Sequence, residues 1–226
     1  MADQFKHLLR SPTHQAGPPP VLFLFHGMGS NERDLHGLAD HMPPEWLVIT
    51  ARGPLQVGPD QFKWFEVKPA DDWFDVAPAD RKAFVDMDTE NAARTQALSF
   101  IDAMVQQHGA DPAQVVVAGF SQGATLSLNL FLTTPERFLS VGAIGGRVID
   151  EIKPQIAGAD ALAGKPAFLG FGSQDQFIPA QHATATQAAL AALDVQVTVS
   201  MDDVGHSFSA KHLEDFIGFL QGLRNS

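Results

Sequence analysis

Short apolar runs alternate with longer segments of helical pattern along this chain, and that alternation restricts its fold more than any other feature. The runs cover residues 21–25, 47–51, 115–118, 141–144, 167–171 and 195–201, each rich in Val, Ile, Phe or Leu. Apolar runs of this length bounded by turn formers read as strands, and most are apolar enough for burial on both faces. Between several of them lie segments 88–108, 122–133, 180–193 and 210–223, which are long enough for helices. The expected architecture is α/β, a mostly parallel central sheet with helices on both faces. With 226 residues and 45% hydrophobic content, the chain can build this as one domain over 1–226.

Local signals sharpen the outline. Asp88 is placed to cap the helix 88–108, and His108 followed by Gly109 marks its end. Residues 5–10 would add an edge strand before the link Gly17-Pro18-Pro19-Pro20. The least regular stretch is 53–86, where Pro54, Pro59, Pro69 and Pro78 stand among Trp64, Phe65, Trp73, Phe74 and Phe84. An irregular segment this long in a compact domain is usually functional.

Composition removes several classes of function. Fifteen basic against 26 acidic residues leave a formal charge of -11, which repels polyanions, so nucleic acid is not an expected partner. The absence of cysteine excludes disulfides and a thiolate nucleophile. Residues 1–10 lack the apolar core of a secretory signal, and no run approaches the roughly 18 apolar residues of a membrane span. A cytoplasmic protein without integral membrane association is expected; its oligomeric state is left open, a homodimer included. No pair of histidines has a metal-ligand spacing with a third ligand, and Asp71, Asp72 and Asp75 lack the Gly and terminal Glu of a calcium loop. Neither metal nor cofactor is expected.

The chemistry is carried by Gly119-Phe120-Ser121-Gln122-Gly123, which follows the run 115–118 and opens the helical segment 122–133. A G-x-S-x-G motif in this strand-turn-helix context places a serine on a sharp turn whose flanking positions must be glycine. Downstream, Asp175 follows the strand 167–171 and His206 follows the strand 195–201, so all three would project at the carboxyl edge of one sheet. A serine hydroxyl becomes nucleophilic when an imidazole takes its proton and a carboxylate holds that imidazole in place. Singly, Asp175 could serve only the following turn and His206 could be a surface residue; Asp202 and Asp203 are rival acids. The oxyanion of such a reaction needs two backbone N–H donors, for which Gln122 and Met28, within Phe25-His26-Gly27-Met28-Gly29, are the candidates. His26 reads as a structural hydrogen-bonding residue. The other histidines, His7, His14, His36, His41, His108, His182 and His212, fit helix ends, loops or exposed faces.

The succession His26-Gly27-Met28-Gly29, Arg52-Gly53-Pro54, Trp64-Phe65, the Ser121 pentapeptide, Gly172-Ser173-Gln174-Asp175 and Gly205-His206 resembles the phospholipase/carboxylesterase family. That family includes acyl-protein thioesterases and small bacterial carboxylesterases. The resemblance implies a small, largely lidless, single-domain α/β-hydrolase with Ser121, Asp175 and His206 as catalytic triad and Met28 and Gln122 as oxyanion donors. It further implies that Trp64 and Phe65 wall the acyl site, against the alternative that these aromatics cover the core. Gly145-Gly146 departs from the Ser-Gly often found in relatives, and Ser207-Phe208 after His206 is also unusual. The function these residues imply is hydrolysis of short- to medium-chain acyl esters or thioesters through an acyl-enzyme on Ser121, with a small-molecule acyl substrate as partner. The rival is a non-catalytic small-molecule binder on the same fold.

Overall fold

The computed structural model describes residues 5–14, 17–69 and 83–224. Along the chain run β1 (His7–Arg10), β2 (Val21–Phe25), a 3-10 segment Leu35–His41, β3 (Leu47–Ala51), β4 (Leu55–Gly58), β5 (Gln61–Lys63), β6 (Val67–Pro69) and β7 (Ala83–Val85). There follow α1 (Met87–His108), β8 (Val115–Phe120), α2 (Gln122–Thr133), β9 (Ser140–Ile144), the short α3 (Ala159–Leu162), β10 (Pro166–Gly172), α4 (Ala180–Ala191), β11 (Gln196–Asp202) and α5 (Ala210–Leu223). Seven strands form one sheet in the order β1-β3-β2-β8-β9-β10-β11. The β1–β3 pair is antiparallel and the other five pairs are parallel.

Alternation along each strand sends successive side chains to opposite faces of the sheet, and the core accordingly lies in two layers. Phe23, Val117 and Leu169 pack with Phe100 and Ile101 of α1, Leu126 of α2 and Leu190 of α4. On the other face Leu22, Leu24, Val116 and Phe168 meet Phe216 and Leu220 of α5 and Leu35 and Ala39 of the 3-10 segment. Each large side chain buried this way stabilises the fold by about 1.5–3 kcal/mol relative to exposure. Among the described residues, no helix is long and apolar enough to cross a membrane.

Two expectations are corrected. The cap of α1 is Asp86, not Asp88: its carboxylate accepts from the Thr89 N–H at 3.1 Å, and Asp88 lies inside the first turn, where its charge complements the helix dipole. The helix ends as expected on Gly109, in the left-handed conformation at φ 59°. The stretch 53–86 is also more regular than its prolines suggest, since β4–β5 and β6–β7 form two small antiparallel pairs. Trp73, Phe74, Pro78, Asp71, Asp72 and Asp75 lie outside the described residues.

Candidate active site

Ser121 sits between β8 and α2 at φ 55° and ψ -115°, one of three described non-glycine residues with positive φ. Side-chain sterics disfavour that region, so such a residue persists only where its surroundings hold it. The surroundings here are backbone. A Cβ at Gly123 would lie 2.0 Å from the Phe25 carbonyl oxygen, and one at Gly119 would lie 2.6 Å from the same atom. The turn is therefore pressed against the end of β2, and the Ser121 N–H is anchored on the Ile144 carbonyl at 2.9 Å.

The three separate loops expected to meet do meet. His206 Nε2 lies 2.8 Å from Ser121 Oγ, and His206 Nδ1 lies 2.6 Å from Asp175 Oδ2. Neutral His206 carrying its proton on Nδ1 donates to the carboxylate and leaves Nε2 to accept from the serine hydroxyl. Asp175 is buried, and its Oδ1 accepts from the N–H groups of Phe177 and Ile178, both at 2.8 Å. Burial pushes the carboxyl up, but the hydrogen bonds from His206 and from those two N–H groups outweigh it and hold Asp175 below the usual carboxylate range. The rival acids are occupied elsewhere: Asp203 accepts from Ser173 and Gln174, and Asp202 from the Asp203 N–H. Two aromatic rings flank the imidazole, Phe120 at 4.9 Å and Phe177 at 5.2 Å between centroids.

Beside the serine runs the loop that follows β2. Among the described residues, the backbone N–H of Met28 has no acceptor, nor does that of Gln122, which as the first residue of α2 has no carbonyl one turn earlier to bond. Met28 as a residue is 59% exposed. His26 is buried and structural: its Nε2 accepts from the Gly53 N–H at 2.9 Å, which leaves Nδ1 to donate to the Gly27 carbonyl at 2.7 Å. Burial, only partly offset by the Gly27 bond, depresses its pKa and keeps it neutral.

Trp64 and Phe65 are placed differently from the expectation of an acyl wall. They are 0% and 1% exposed and belong to the core layer that holds Phe5, Phe25 and Phe100. Their polar groups act as a brace. The Gln122 side chain accepts from the Trp64 N–H and donates to the Phe65 carbonyl, both at 2.8 Å. The Trp64 indole N–H donates to the His26 carbonyl at 2.8 Å, and Phe62 exchanges backbone bonds with Gly29 and Ser30, also at 2.8 Å. The segment from Phe62 to Phe65 thus ties the start of α2 to the loop bearing Met28.

Sequence reasoning singled out the Gln122 amide as a candidate but missed its side chain, whose partners lie 57 and 58 residues away. It also missed the buried Glu32, which accepts from Nε and Nη2 of Arg52 and so joins the Met28 loop to the end of β3. His212, expected at a helix end, is at the start of α5 but fully buried, with Nε2 on the Phe171 carbonyl. Among the described residues, no cluster of three His, Asp or Glu could hold a metal ion.

Comparison with known proteins bears on the family and the fold. The phospholipase/carboxylesterase family model matches residues 12–223. The esterase YpfH of Escherichia coli (strain K12) is 26% identical over 206 residues, covering 89% of this chain and 82% of its own. Acyl-protein thioesterase 1 of Kluyveromyces lactis is 26% identical over 218 residues, covering 88% and 90%. The crystal structure of a Bacillus cereus carboxylesterase superposes with a TM-score of 0.79 at 21% identity, covering 98% of this chain and 95% of that one, and so shares the fold. A sheet with a serine elbow on β8, matched along nearly its full length, places the chain in the phospholipase/carboxylesterase family.

Proposed function

We propose that the chain is a serine carboxylesterase that hydrolyses short- to medium-chain acyl esters or thioesters through an acyl-enzyme on Ser121. The observation that carries this reading is the relay from Ser121 Oγ to His206 Nε2 at 2.8 Å and from His206 Nδ1 to Asp175 at 2.6 Å. As Ser121 attacks the acyl carbonyl its proton passes to Nε2, and the imidazolium forms against a carboxylate that stays ionised. The new oxyanion is met by the N–H groups of Met28 and Gln122. Collapse expels the alcohol or thiol, protonated by His206, and water repeats the sequence to release the acid. An acyl-protein thioesterase among the relatives supports including thioesters.

With Trp64 and Phe65 withdrawn into the core, the acyl chain is assigned to the apolar surface left at the mouth. Phe177 and Met28, 62% and 59% exposed, supply it. Each methylene covered there adds up to about 0.8 kcal/mol, so kcat/KM rises with acyl length until that surface is used up. The test is a series of 4-nitrophenyl esters and acyl thioesters of increasing length, with Ser121→Ala as control. Turnover falls by about 10⁴-fold or more in the variant, and a fluorophosphonate that labels the native protein leaves the variant unlabelled. Comparable turnover by Ser121→Ala, or no turnover of any ester by the native chain, rejects the reading.

A further inference from the structure

The acidic chain keeps one cation in reserve at the edge of this site. Thirteen of its basic residues are described, and ten of them have a side-chain partner: Lys6, Arg10, Arg33, Arg52, Lys63, Arg94, Arg137, Lys153, Lys165 and Lys211. Lys68 and Arg224, which have none among the described residues, are exposed. Arg147 is the exception, a half-buried guanidinium without a side-chain hydrogen bond or ion pair among the described residues. None of its guanidinium nitrogens is both sealed from solvent and unpartnered, so its five N–H donors are free to exchange water for a bound anion.

Its place in the fold is the carboxyl end of β9, two residues beyond Gly145. A Cβ on Gly145 would stand 3.3 Å from His206 Cε1 and 3.2 Å from the Phe120 ring. The Arg147 N–H meets Thr125 Oγ1 at 3.4 Å, and Thr125 lies one turn from Ser121 on α2, bonded to its carbonyl. On the far side the Val148 N–H donates to Thr186 of α4. Arg147 therefore stands where the elbow helix, the His206 ring and the segment after Asp175 converge. Of its charged neighbours, Asp150 is paired with Lys153 at 2.7 Å and feels the Arg147 charge without forming an ion pair with it. His182 has its pKa depressed by burial and then by the Arg147 charge, so it is neutral near pH 7 and leaves the positive charge at this position to Arg147.

We propose that Arg147 is a specificity-determining residue that binds an anionic group, a carboxylate or phosphate, carried by the ester or thioester substrate away from its scissile carbonyl. The proposal rests on the esterase reading for the reaction but not for the anion site. In a chain of charge -11, a local cation is what lets such a substrate approach. A planar guanidinium also suits the two oxygens of these groups.

The test compares matched esters in the native protein, Arg147→Gln and Arg147→Lys. One arm puts the charge on the acyl side, mono-4-nitrophenyl glutarate against 4-nitrophenyl butyrate. The other puts it on the leaving group, 4-carboxyphenyl butyrate against phenyl butyrate. The ratio of kcat/KM for the charged over the neutral ester is expected to fall by about ten- to a hundredfold in Arg147→Gln in one arm, which identifies the side, and to be largely kept in Arg147→Lys. An unchanged ratio in both arms overturns the proposal, even if both rates drop together. Calorimetric binding of the two charged esters to Ser121→Ala, with and without Arg147→Gln, separates the two readings. If the native chain cleaves nothing but this binding still weakens about tenfold, the esterase reading falls and the anion site stands; equal binding overturns the site.

Discussion

The Ser121 elbow, residues 115–125, and the arm facing it, residues 52–66, are assembled on different principles. The elbow is local. Its serine, its two glycines and the strand and helix that bracket it lie within eleven consecutive residues, and backbone clashes at Gly119 and Gly123 leave no alternative side chain. The arm is assembled at a distance, with Trp64 and Phe65 bonded to Gln122, Phe62 to Gly29 and Ser30, and Gly53 to His26. A conspicuous aromatic pair near the proposed nucleophile can thus be support for the backbone around it and not a wall of the site.

The sharpest way to break that contrast is Trp64→Ala. As a fully buried core residue, Trp64 is expected to cost about 3–5 kcal/mol of stability on truncation, read from denaturant midpoints, while the acyl-length profile keeps its shape. A shifted length optimum with stability intact would return the residue to the acyl site. Gly123→Ala probes the other side. Its Cβ would collide with the Phe25 and His26 carbonyl oxygens at 2.0 and 2.6 Å, and about 3 kcal/mol or more should be lost, together with activity. Full stability in that variant would show that the elbow is not locked by backbone contact.

Gln122→Ala sits where the two regions join. It leaves the Trp64 N–H and the Phe65 carbonyl unpaired, and kcat should fall about ten- to a hundredfold with KM little changed, because the proposed oxyanion donors, the Met28 and Gln122 N–H groups, lose their mutual alignment. A lower melting temperature at unaltered kcat would limit the brace to stability. The smallest effect is one of pH. His26 has a folded pKa below its unfolded value of about 6.5, so the unfolded chain takes up the proton first as pH falls. The stability it contributes is present at pH 7, declines below about 6.5 by at most about 1.4 kcal/mol per pH unit, and stops declining once pH has passed the folded pKa. His182, depressed by burial and then by the Arg147 charge, adds to the same slope. Melting temperatures from pH 7.5 to 5 should fall less steeply in His26→Gln than in the native protein. Equal slopes would mean that the arm is not tied to the Met28 loop through a neutral imidazole.

The sequence alone determined the alternation of strands and helices, the position of the elbow, and the three residues that later meet. Those features depend on short-range rules: apolar periodicity, glycine at positions where a Cβ would collide, and the Ser, Asp, His order along the chain. Even there, the cap of α1 was displaced from Asp88 to Asp86, since both carboxylates lie at the helix start and only the Thr89 contact distinguishes them. What the tertiary structure decided is where Trp64, Phe65, Glu32 and the Gln122 side chain are held and what they bond. A buried hydrogen bond, an ion pair or a missing partner is fixed by which segments meet, and segments more than fifty residues apart carry no pattern in the sequence that announces their meeting.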